Sequence, residues 1–217
     1  MKWVDTERAA LAAAFSAAAP DDPTLCVGWT TSHLLAHLVQ RENNLFGNVA
    51  DQISRRPPGE EKHLGKLVAT AQTRSGYDAL IRRLADGPPG WSPMNWAGEQ
   101  LNLLEFVIHH EDVRRGGTDI PPPRQLPSEE NRVIFQRLPT LAKLTYRRAP
   151  VGIVLATPDG DRQVVKKGDQ PVELLGTPIE LALYVSGRQR AANVELNLAS
   201  PWPVSTFTSA RCTRSHR

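Results

Sequence analysis

The chain has 217 residues, 40% of them hydrophobic and 23% charged, which provides for a real apolar core and excludes wholesale disorder. Its net charge of +3 is only mildly basic, and no basic stripe with interleaved aromatics points to nucleic acid. Cys26 and Cys212 lack metal-ligand spacing and suit a reducing, cytoplasmic setting, and no apolar run reaches the about 18 residues of a membrane span.

Asp5 or Thr6 caps a first helix through Ala18, stopped by Pro20. Its alanine-rich run is read as helix rather than as a signal peptide, because Asp5, Glu7 and Arg8 precede it. Thr30, Thr31 or Ser32 caps a second helix to about Phe46, with Leu34, Leu35, Leu38 and Val39 as its apolar stripe and His37 beside it. Arg55-Arg56-Pro57-Pro58-Gly59 breaks the pattern, and two shorter helices follow over about Glu60–Thr73 and Ser75–Ala85. After a loop at Trp91-Ser92-Pro93, a long helix runs from about Asn95 to Arg115, stopped by Gly116-Gly117. A further helix spans Ser128 to about Arg147, with a kink or break expected at Pro139.

Beyond Pro150 the pattern changes. Val151–Ala156 and Arg162–Lys167 read as a hairpin around Asp159-Gly160, and Val172–Leu175 as a short strand. Thr177 with Pro178 opens a helix ending at Gly187, and Ala192–Leu198 alternates as a strand. The expected organisation is α+β: a helical bundle over residues 1–149, a small α+β module over 150–199 and an irregular tail over 200–217.

Chemistry concentrates in Glu105-Phe106-Val107-Ile108-His109-His110-Glu111-Asp112. Glu105 and His109 are four apart on one helix and point the same way, with Asp112 on the same face. A carboxylate and an imidazole stacked in this manner can share a divalent metal, with His37 from the earlier helix as a third ligand. Three protein ligands leave positions open, the arrangement of a catalytic metal site. The competing reading is an ion-pair cluster with Arg114 or Arg115 as partners. A two-histidine protease helix is excluded, because Arg114 stands four positions after His110. His33 and His110 stand aside from the cluster, His110 pointing about 100° away from His109. Cys26 has no cation near it in sequence and reads as a small buried residue rather than a nucleophile.

Gly28-Trp29-Thr30-Thr31-Ser32-His33-Leu34-Leu35-Ala36-His37-Leu38 resembles the second-helix signature of the DinB-like metal-binding family, and Glu105-x-x-x-His109-x-x-Asp112 its other metal motif. The resemblance is to the actinobacterial branch that includes mycothiol-dependent maleylpyruvate isomerase. Gly176-Thr177-Pro178-Ile179-Glu180-Leu181 with Ser186-Gly187-Arg188 resembles the small C-terminal domain of that branch. His33 departs from the branch, where a carboxylate or other polar residue is expected, and so does the tail after Ser200.

The resemblance implies a four-helix bundle with a metal held by His37, Glu105 and His109, and zinc is the expected ion, with Ni²⁺ or Fe²⁺ also suited to the donors. Beside such a metal, Asp112 would orient a ligand or pair with an arginine, and Arg188 would bind a substrate carboxylate if the C-terminal module closes over the bundle. A helix-end charge is the plainer reading of Arg188. The implied activity is a transferase or isomerase that uses mycothiol as cosubstrate on a small electrophile. The alternatives are a non-catalytic metal-binding or ligand-sensing protein on the same scaffold, and a helical protein without metal.

Overall fold

The structure is a computed structural model that describes residues 3–43, 62–90 and 93–198, with the backbone alone for 93–101. Helix α1 (Trp3–Ala17) buries Leu11 and Phe15, and α2 (Thr31–Asn43) buries Leu34, Leu35, Leu38 and Val39, the stripes their helical spacing marks. The short α3 (Leu64–Ala71) lies against α2, and α4 (Arg74–Asp86) against α1 and α2. Thr73 caps α4 by accepting a hydrogen bond from the Gly76 backbone N–H, and Gly87 ends it at a positive φ of 78°. Helix α5 (Pro93–Arg114) crosses α1 and buries Leu103, Phe106 and Val107. Together α1, α2, α4 and α5 make the bundle, padded by α3. Inside it, Arg8 of α1 grips Glu42 of α2 through two hydrogen bonds of 2.6 Å and lies over the Phe106 ring.

Helix α6 (Ser128–Thr145) does not break at Pro139. Proline supplies no N–H for the carbonyl four residues back, and that carbonyl, on Phe135, accepts from the Gln163 side chain at 3.0 Å instead. Gln163 belongs to β2, so the sheet repairs the fault in the helix.

Strands β1 (Ile153–Ala156), β2 (Arg162–Lys166), β3 (Val172–Leu175) and β4 (Glu195–Leu198) form one sheet in the order β2-β1-β3-β4, with β1 and β3 parallel and the outer pairs antiparallel. The hairpin turns at Asp159-Gly160, with Gly160 at φ 93°. β4 starts later than the alternation suggests, and in the preceding stretch the Asn193 N–H bonds Glu180 Oε2 of α7 at 2.7 Å. Ile153, Leu155 and Leu174 of the sheet join the same apolar cluster as Leu34, Phe106 and Ile134 of the helices.

Helix α7 (Pro178–Val185) packs on α5 and α6. Its end is set by Gly187 at φ 96°, with the Gly187 N–H on the Tyr184 carbonyl and the Arg188 N–H on that of Leu183 at 2.9 Å. This double closure turns the chain sharply and fixes where Arg188 leaves the helix. A buried ion cluster ties α7 to α5: Arg115 bonds Glu111 at 2.5 Å and Glu180 at 2.6 Å. Among the described residues no helix is long and apolar enough to cross a membrane. The expected end of α2 near Phe46, the Pro57-Pro58-Gly59 break and the tail from Ser200 lie outside the described residues.

Candidate metal centre

Three donors meet where α2 passes α5. Glu105 Oε1 lies 3.5 Å from His37 Nε2 and 3.2 Å from His109 Nε2, all three within 4.8 Å of one another. The apolar stripe of α2 turns Leu34 and Leu38 into the core, which leaves His37 at the edge that faces α5. The Trp29 ring packs on His37 at 5.3 Å between centroids, and the His37 and His109 rings meet edge to face at 5.7 Å. Arg41, one turn beyond His37, places Nε 3.6 Å from Glu105 Oε1 and donates to the Asn102 side chain at 2.6 Å.

The other nitrogen of the His109 ring meets Asp112, Nδ1 to Oδ2 at 2.7 Å. A carboxylate there holds a proton on Nδ1 and leaves Nε2, which points at Glu105 and His37, as the nitrogen that would ligate a metal, as in metal-binding histidines. Without a metal, a protonated His109 donates from Nε2 to Glu105 Oε1, and a metal ion would take that proton's place. Two imidazole nitrogens and one carboxylate oxygen are a donor set of borderline softness that fits Zn²⁺ and similar ions. The residues present therefore fit the metal that the resemblance implies.

Charge states follow from these contacts. Burial opposes ionisation of Glu105, but hydrogen bonds from His109 and His37 and the charge of Arg41 hold its pKa far below the usual carboxylate range. Burial lowers the pKa of His37 and keeps it a neutral ligand. Burial would do the same to His109, but Asp112, Cys26 and Glu105 together raise it well above the ordinary histidine value. Asp112 is pulled down against its burial to about 2 by His109 and Arg188.

Arg188 reaches Asp112 from the turn after α7, Nε to Oδ1 at 2.9 Å and Nη2 to Oδ2 at 2.7 Å. The C-terminal module thus does close on the bundle, but its arginine clamps the carboxylate behind His109. The same Nη2 lies 3.0 Å from Cys26 Sγ, and Sγ is 3.2 Å from Asp112 Oδ2. Cys26 has no cation near it in sequence, but it has one in space: Arg188 comes from 162 positions away and no sequence spacing signals it. The loop that carries Cys26 is pinned to α5 by the Leu25 N–H on the Asp112 carbonyl at 3.1 Å. Gly116 allows this approach, since a Cβ there would stand 2.1 Å from the Pro23 carbonyl oxygen. Cys26, His109 and Asp112 form a second group with ligand spacing, but the Arg188 guanidinium already supplies the positive charge on that side.

The remaining candidates separate cleanly. His33 bonds Thr30 at 3.0 Å, and His110 faces Glu7 of α1 at 3.5 Å, away from the cluster. Arg114 and Arg115, the partners that an ion-pair reading would need, turn to Glu111 and Glu180. Beside the cluster a cavity of about 1150 Å³ opens between α5 and α6, with Glu105, His109, Arg41 and Arg188 among its lining residues.

Residues 4–114 match the family described as mycothiol maleylpyruvate isomerase N-terminal domain. The chain belongs to that family. The matched region holds α1 to α5, and so all three members of the candidate metal cluster. The fold extends the likeness into the C-terminal module. The crystal structure of the mycothiol-dependent maleylpyruvate isomerase superposes with a TM-score of 0.56 at 20% identity, covering 93% of both chains. A histidine-to-alanine mutant of that enzyme gives the same values. At this identity the likeness is one of fold. No curated protein sequence matches the chain.

Proposed function

We propose that the protein is a divalent-metal enzyme that uses a low-molecular-weight thiol, mycothiol, to attack a small electrophile, acting as a transferase or an isomerase. The observation that carries this reading is the convergence of His37 Nε2 and His109 Nε2 on Glu105 Oε1 beside a cavity of about 1150 Å³. Membership of the family supports the choice of thiol.

In this reading His37, Glu105 and His109 hold the metal, and Zn²⁺ suits them best. When bound, the ion supplies Lewis acidity that lowers the pKa of a thiol placed at an open position. Asp112 fixes the proton on His109 Nδ1, so that Nε2 stays a ligand. Arg188 holds Asp112 ionised and in place, and Arg41 restrains Glu105. Overall, the thiol sulfur forms a bond to an electrophilic carbon, and the thiol proton goes to the atom that takes up the displaced electron pair. In a transferase that adduct is the product; in an isomerase the same sulfur leaves again after rotation about the attacked bond.

The test is metal content and turnover in parallel. Purified protein incubated with Zn²⁺ and desalted should retain the ion, and His37→Ala and Glu105→Ala should lose it. Zinc-loaded protein should consume mycothiol with a panel of electrophiles, and the variants should not. Zinc retained without any turnover would turn the reading to a binding or sensing protein.

A further inference from the structure

The cavity beside the cluster has an apolar wall that the thiol chemistry alone does not explain. On α5, Leu104 and Ile108 stand one position before Glu105 and His109, so an apolar stripe runs alongside the metal stripe. Helix α6 faces it with Leu141 and Leu144. Leu144 is 62% exposed, a large apolar side chain left in water on the wall of a cleft. All three arginines around the cavity, Arg41, Arg137 and Arg188, already have partners. Arg188 spends both Nε and Nη2 on Asp112, and Arg41 is engaged by Asn102 and Glu105. A carboxylate arriving at Arg188 would have to displace Asp112, a buried anion that would then lose its partner.

From this we infer the substrate class: the thiol acceptor is an uncharged electrophile with an alkyl or aryl body, laid along Leu104, Ile108, Leu141 and Leu144, rather than a short di-acid. This rests on the thiol-enzyme reading for its chemistry and on the cavity wall for its selectivity. The volume, just above the ordinary range of ligand pockets, leaves room for such a body and the thiol together.

Binding and turnover test it separately. In the binding arm, unreactive methyl ketones from 2-butanone to 2-nonanone compete against an apolar fluorescent dye on zinc-loaded protein. The affinity should rise by about fourfold for each added methylene. Leu144→Ser, an exposed position that folding tolerates, should flatten the series without changing the zinc bound. His37→Ala should lose zinc and keep the series. In the turnover arm, 2-nonenal should react with mycothiol at a higher kcat/KM than maleate, and Leu144→Ser should raise KM for the alkenal and leave kcat unchanged. An affinity independent of chain length, or a preference for maleate, overturns the substrate class and leaves the metal reading standing. Wild-type protein that shows the series but retains no zinc supports the apolar wall and overturns the metal reading alone.

Discussion

Asp112 is the residue on which the site depends most without being one of its three converging donors. It binds His109 Nδ1 on one side and the Arg188 guanidinium on the other. Asp112→Asn keeps the shape and removes the charge that both partners answer to. Zinc affinity, measured by competition with a chelator, should fall about 10- to 100-fold, the usual cost of losing such a support, while the circular dichroism spectrum stays that of the folded protein. Arg188→Ala should act in the same direction through Asp112. Cys26→Ala, which removes a thiol near that pair, should leave zinc affinity within a few-fold of wild type.

At the scale of elements, α6 carries two features that its sequence half discloses. Pro139 announces a missing hydrogen bond, and a break is the natural expectation. The helix survives because Gln163, on a strand that follows it, bonds the freed Phe135 carbonyl. Gln163→Leu should therefore cost about 1 kcal/mol in denaturant unfolding, the ordinary worth of a hydrogen bond. Glu130, in the first turn of α6, is buried beside Glu7. Burial first, and then the charge of Glu7, push its pKa up to about 7. The folded chain thus binds this proton more tightly than the unfolded chain, so its contribution to stability is present below pH 4.5 and is lost as pH rises to about 7. Glu130→Gln should raise the melting temperature at pH 8 by several degrees and change it little at pH 4.5. A shift of equal size at both pH values would contradict the assignment.

Over the whole molecule, the bundle and the C-terminal module share one apolar cluster and the Arg115–Glu180 bond. Removing one partner of a buried ion pair strands the other, so Arg115→Ala should destabilise by about 3–5 kcal/mol in thermal or urea unfolding. Arg132→Ala, which breaks the exposed pair with Glu129, should leave stability nearly unchanged. What the sequence makes legible follows the same division between near and far. The stripe of α2 that sets His37 beside Leu34 and Leu38, the Glu105–His109 pair and the turn at Asp159-Gly160 all lie within a few residues, where helix and hairpin periodicity speaks. The Cys26–Asp112–Arg188 cluster was not legible, because it joins three elements across 162 positions and each residue alone looks ordinary. The order of α1 to α7 was legible from periodicity, but the parallel pairing of β1 with β3 was not, since short strands carry no signal of their partner. The central claim is that His37, Glu105 and His109 bind one metal ion together. Calorimetric titration of the metal-free protein with Zn²⁺ tests it most directly. The account predicts one tight site in the wild type, abolished in His37→Ala and Glu105→Ala and kept in His110→Ala. Equal zinc binding in all four proteins, or none in any, would contradict it.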